Sequence, residues 1–117
     1  MRHRKRVQKL GLPKEHRVSL LRNLISSLVL NGKIRTTENR AKALAARFGR
    51  LMNLVQRKNT VEAIRLLPRY VNVAAAQKKL LDEVKKKYEK RTSGFTRITR
   101  IGLRKGDCAR LVQIELI

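Results

Sequence analysis

The chain has 117 residues, with 30 lysines and arginines against 8 acids, for a formal net charge of +22. That length suits one domain, and 42% hydrophobic residues is enough for a core and too many for a wholly disordered polycation. No apolar run reaches the roughly 18 residues that span a bilayer, and a single cysteine, Cys108, excludes an internal disulfide.

A compact body with this charge repels itself and calls for a polyanion. A membrane-surface helix would carry Trp or Phe on a wide apolar face; this chain has no Trp and only two Phe, so nucleic acid is the expected partner and no membrane is. The opening residues are basic, but no long apolar stretch or small-residue cleavage site follows them. Serine is absent from the first 18 residues, against a transit peptide, so the cytosol is the expected location.

Residues 1–14 read as a basic arm, with Arg2, Arg4, Lys5, Arg6, Lys9 and Lys14 and no acid, and with Gly11 and Pro13 set against a helix. From Glu15 the period becomes helical: Leu21, Leu24, Ile25 and Leu28 form one stripe, and Asn31-Gly32 is a stop signal. Lys33–Thr37 reads as a short strand, with Thr37 the expected cap of a second helix over 38–57 and Glu38 in its first turn. Ala41, Leu44, Ala45, Phe48, Met52 and Val55 form that helix's apolar face, and Arg40, Lys42, Arg47, Arg50 and Arg57 its other face. The two apolar stripes have similar lengths, so the helices should pack together.

Thr60 is placed to cap a short helix ending before Pro68, and Asn72 to cap the next. Over 73–88, Ala76, Leu80, Val84 and Tyr88 share a face with Leu81 beside it, and Lys78, Lys79, Lys85, Lys86 and Lys87 lie outside. After Ser93-Gly94 the period drops toward two from Phe95 to Thr99, and the last seven residues alternate with Val112, Ile114 and Leu116 on one side. Leu103–Asp107 reads as a long hairpin turn with Gly106 at positive φ. The fold class is α+β: three main helices and a shorter one on one face of a small, mostly antiparallel sheet of about three strands. The expected division is a 1–14 extension and a single 15–117 domain.

Little suggests catalysis. The acids are scattered, and helix first turns or i,i+4 partners (Asp82 with Lys86, Glu83 with Lys87) account for most. No nucleophile motif, glycine-rich phosphate loop or HExxH is present, and the two histidines and one cysteine make no metal-ligand spacing. No enzyme activity, cofactor, metal or small-molecule substrate is expected, and Cys108 reads as a small buried or half-buried residue. Base-stacking platforms need free aromatics, yet Phe48 and Tyr88 fall on apolar stripes, leaving only Tyr70 and Phe95. Lysines and arginines on phosphates, reading RNA by shape, remain as the mode of recognition.

Specific blocks then narrow the reading. Met1-Arg2-His3-Arg4, Lys9-Leu10-Gly11, His16-Arg17 and Leu21-Arg22-Asn23-Leu24 open the chain; Ile34–Thr37 precedes Arg40-Ala41-Lys42 and Leu44; Gly94–Arg97, Arg104–Asp107 with Ala109, and Ile114-Glu115-Leu116 close it. In this order the blocks resemble the seventeenth protein of the bacterial large ribosomal subunit, the L-seventeen family. Residues 58–90 match mainly in helical character, and Phe95 stands where the family's tyrosine is usual. The resemblance implies helices on a small sheet and binding to large-subunit ribosomal RNA near the outer end of the peptide exit tunnel, beside other ribosomal proteins, without catalysis. It implies RNA contact by Arg2, His3, Arg4, His16, Arg17, Arg22, Asn23, Thr36, Thr37, Lys42, Thr96 and Arg97. The charge argument adds Lys5, Arg6 and Lys9 of the arm, Arg35, Arg40 and Arg100. Two rival readings are a DNA-compacting architectural protein, which would need a dimer face, and a free regulator acting away from the ribosome.

Overall fold

The computed structural model describes His3, Arg4 and residues 9–117. Helix α1 spans Lys14–Asn31, preceded by a turn in which Leu12 N–H donates to the Lys9 carbonyl. It stops where the sequence signals: Gly32 turns left-handed at φ 79°, and its N–H closes on the Leu28 carbonyl at 2.8 Å. Its last turn carries no basic residue of its own, and Lys79 supplies one from outside by donating to the Leu30 carbonyl at 3.1 Å. Lys79, expected to point outward, is thus used as a tie between helices.

Strand β1 (Lys33–Thr37) leads directly into α2 (Glu38–Arg57), which buries Ala41, Leu44, Phe48, Leu51, Met52 and Val55. Thr37 sits at the expected cap position, but its side chain makes no capping bond. The short helix α3 (Thr60–Leu66) is capped one residue earlier than expected, by Asn59, whose side-chain oxygen accepts from Glu62 N–H; Pro68 then falls in the 3₁₀ turn Leu67–Arg69.

The next helical rod begins with α4 (Ala74–Lys79), continues through a π-helical stretch at Leu80–Val84, and ends in α5 (Lys85–Lys87). The expected stripe of Ala76, Leu80, Val84 and Tyr88 is buried. Two expectations fail here. Asn72 does not cap α4; Val73 holds that position, because the Asn72 side chain is turned toward α1. Nor are Asp82–Lys86 and Glu83–Lys87 among the ion pairs of the described residues, since the wider π turn breaks the i,i+4 stacking those pairs need.

Strands β2 (Thr96–Leu103) and β3 (Arg110–Leu116) complete an antiparallel sheet in the order β1-β3-β2. Pairing Lys33 with Glu115 and Arg97 with Glu115 fixes the register, and a bulge interrupts β2 between Arg100 and Gly102. β2 includes Leu103, so the turn begins only at Arg104, where Arg104 N–H donates to the Ala109 carbonyl and Gly106 takes φ 104°. Cys108 corrects the buried-residue expectation: it is exposed at φ 54°, on a turn that no helix covers.

One core joins these parts. Ile25, Leu28 and Val29 of α1, the α2 stripe, Leu67, Val71, the rod's stripe and Val112 and Ile114 of β3 form a single buried cluster. Phe95 meets Phe48 and Tyr88 edge-on, at centroid distances of 6.4 and 5.5 Å. The last residue is tied in twice: Ile117 N–H donates to the Phe95 carbonyl, and the Tyr88 hydroxyl donates to the Ile117 carbonyl at 2.6 Å. Burying an aromatic such as Phe48 is worth about 3–5 kcal/mol relative to alanine, so these rings hold the sheet to the helices.

Candidate nucleic-acid interface

Residues paired across antiparallel strands share a face, so the register sorts the sheet's cations. On the face away from the helices, Lys33, Glu115 and Arg97 form one row and Arg35, Gln113 and Thr99 the next, with Thr37 beside Leu111. Lys33, Arg35 and Arg97 are exposed there, and Glu115 is the one acid among them, 3.7 Å from Arg97. Two of the sequence candidates, Arg35 and Arg97, are thereby assembled with Lys33 on one flat surface by two separate chain segments.

The same register separates others. Thr36 pairs with Val112, Thr96 with Leu116 and Arg100 with Val112, which places all three on the helix side. Thr36 and Thr96 are half-buried there, while Arg100 lies beyond the helical layer and is exposed. Lys42 is exposed but engaged: Glu38 holds it at 3.2 Å and Arg110 at 3.5 Å. The hydrogen bond from Lys42, reinforced by Arg110, keeps the Glu38 carboxyl below its ordinary range.

Helix α1 contributes a second group. His16 and Asn23, seven residues apart, share its exposed side, and Arg17 and Arg22 flank the buried stripe. Arg17 reaches back 3.4 Å to the Leu12 carbonyl and so steadies the arm's approach. Asn23 has a structural task, accepting from the Asn72 amide, whose oxygen in turn takes the Ser26 hydroxyl proton at 2.8 Å. His3, Arg4 and Lys9 are exposed on the arm; Arg2, Lys5 and Arg6 lie outside the described residues.

Helix α2 presents the cationic face that its spacing predicts. Arg40, Arg47, Arg50 and Arg57, spaced seven, three and seven, fall within roughly 100° of arc at about 100° per residue. Of these four, only Arg40 is among the residues expected to contact RNA. Arg47 lies 4.6 Å from the Tyr70 ring centroid and donates to the Arg69 carbonyl, so the ring is half-buried and covered. Among the described residues, the buried Nε atoms of Arg22 and Arg47 have no hydrogen-bond partner.

With Phe48, Tyr88 and Phe95 buried and Tyr70 covered, no Phe or Tyr ring is free to stack a base. What the surface presents is guanidinium and ammonium groups suited to phosphate oxygens, arginine most of all for its planar fork. Among the described residues only four ion pairs compensate this charge, all on exposed or partly exposed side chains.

Comparison with known proteins agrees with this picture. A family profile described as "Ribosomal protein L17" matches residues 20–117. The chain is 42% identical over 110 residues to the large ribosomal subunit protein bL17 of Clostridium beijerinckii, covering 94% of this chain and 96% of that protein. It is 40% identical over 117 residues to bL17 of Sulfurimonas denitrificans, covering all of both. It is 35% identical to bL17 of Geobacter sulfurreducens, covering all of this chain and 66% of that longer relative.

Proposed function

Because the chain belongs to the ribosomal protein L17 family, a family of structural proteins of the large ribosomal subunit and not of enzymes, we propose that it binds and stabilises large-subunit ribosomal RNA by contacting phosphates and reading shape. The observation that carries this reading is the outer sheet face, where Lys33, Arg35 and Arg97 converge on one plane with a single acid between them. Cations alternating on neighbouring strands match a run of phosphates, and the absence of a free ring argues for backbone recognition over base stacking. The arginine stripe of α2 and the exposed side of α1 supply further phosphate partners around the same body.

In this reading, residues 1–14 act as an extension that threads into an RNA crevice and residues 15–117 dock as a rigid domain. The site on the particle is near the outer end of the peptide exit tunnel, beside neighbouring large-subunit proteins, and the compartment is that of the ribosome, the bacterial cytoplasm. Sedimentation of the tagged chain through a sucrose gradient after a moderately high-salt wash tests the assignment. One copy per large subunit is the expected result; release to the top of the gradient, or migration with nucleoid DNA, refutes it. Deleting residues 1–9 tests the arm: the fold should survive while the salt dependence of RNA binding flattens, by about 0.7–0.9 per lost phosphate contact.

A further inference from the structure

Strand β2 runs past the helical layer. Its partner β3 buries Val112 and Ile114, yet on the same face Ile98, paired with Ile114, is 37% exposed. Beyond it Ile101 is 47% and Leu103 64% exposed, an aliphatic run on the edge of a polycationic protein. The gap is opened by α2. Ala45, Gly49 and Asn53 follow one another along the helix and face the start of β2, and with the 92–95 segment and Thr96 they bound a groove of about 260 Å³. A methyl group added at Gly49 would meet no atom within 4 Å, so the space is open. Where a helix covers a sheet, larger side chains ordinarily fill such a space.

The character of the groove selects its occupant. Ile98, Ile101 and Leu103 lie along β2 beyond Thr96, outside the groove's own lining; ribose and phosphate gain little from them, whereas aliphatic side chains of a protein lying along that edge gain the burial of their area. β2 is an edge strand, with alternate backbone N–H and C=O groups pointing away from β3, and an added strand satisfies them. Cations flank this edge: Arg91 beside the groove and Arg100 on β2 are exposed and in no ion pair among the described residues. Arg91 is fixed at the mouth by donating to the Gly94 carbonyl at 2.9 Å. We propose that the groove between α2 and β2 receives an extended segment of a neighbouring protein, alternating aliphatic and acidic side chains and pairing along β2. The proposal rests on the ribosomal reading only in drawing the neighbour from the same particle.

Photocrosslinking of the full chain in intact cells tests it, with benzoylphenylalanine in place of Ile98 and, separately, in place of Arg35. At position 98 the expected adduct is to protein, digested by protease and resistant to ribonuclease, and mapping to an aliphatic and acidic extended segment. At position 35 the expected adduct is to RNA. Gly49→Leu, whose Cβ would meet nothing within 4 Å and whose side chain extends into the groove while favouring the helix, should lower the position-98 adduct about tenfold, as loss of one buried aliphatic contact would, and leave the position-35 adduct unchanged. An RNA adduct at position 98, no adduct there, an adduct to a second copy of this chain, or a protein adduct indifferent to Gly49→Leu overturns the groove proposal while leaving RNA binding standing. No RNA adduct at position 35 beside the expected protein adduct at position 98 does the reverse.

Discussion

Replacing Lys33, Arg35 and Arg97 together by alanine removes the three cations that the register places on the outer face of the sheet. All three are exposed, and the one ion pair among them, Arg97 to Glu115, spans 3.7 Å at the surface. An exposed pair of that kind is worth less than about 1 kcal/mol, so the melting temperature should move little. RNA binding should respond differently. If each cation neutralises one phosphate, the slope of log K against log salt flattens by about 0.7–0.9 per contact, and by roughly 2–3 for the three. Filter binding to a large-subunit RNA fragment over a potassium chloride series measures the slope. The matched control is Lys78→Ala, Lys86→Ala and Lys87→Ala, which removes the same charge from the exposed side of the helical rod. Equal flattening by both triples would mean that net charge alone governs binding, and the argument from the sheet face would fall.

Other substitutions test the scaffold. Asn72→Ala removes the link between Asn23 and Ser26, and urea unfolding should show a loss of about 1–3 kcal/mol. Gly32→Ala forces a side chain into φ 79° at the end of α1, costing about 1–2 kcal/mol in the same assay. Asp107, held by Arg104 and by Ala109 N–H, has its carboxyl pulled down from 3.8 to about 2. A depressed acid contributes order above its unfolded value and loses it as pH falls through the folded one, so the Ala109 amide resonance should hold down to about pH 4 and shift between there and about 2. The free chain should melt at higher temperature as potassium chloride rises from low to moderate concentration, because screening relieves the repulsion of +22.

Much of the scaffold was legible because its signals are local. Leu21, Ile25 and Leu28 announce α1 by spacing, Gly32 announces its end, and the alternation of Val112 and Ile114 announces β3. Two of the failures, at Asn72 and Lys79, share one physical cause, which is that tertiary partners outbid local rules. Asn72 is a sound cap by type, but Asn23 and Ser26 of α1 offer it bonds that a helix terminus cannot match. Lys79 belongs to the outward side of its helix by period, yet the free carbonyl at Leu30 draws it in. The site was half legible for the same reason. Arg35 and Arg97 are expected RNA contacts and Lys33 is not; they lie far apart in sequence, and only the β1-β3-β2 order brings all three to one plane. The α2 arginines are grouped from their spacing alone, whereas Thr36 and Thr96 need the register to show that they face the helices.

Charge also explains what the core is made of. A surface this basic cannot be stabilised by its own ion pairs, since 8 acids face 30 bases and exposed pairs contribute little each. Apolar burial must then hold the free molecule, and three of its four rings, Phe48, Tyr88 and Phe95, are spent inside, hinging the sheet onto α2 and the helical rod. Once they are inside, recognition is left to side chains that grip phosphates and not bases. The residues that could stack a base are the ones that hold the helices to the sheet, and this is why the proposed recognition runs through the backbone.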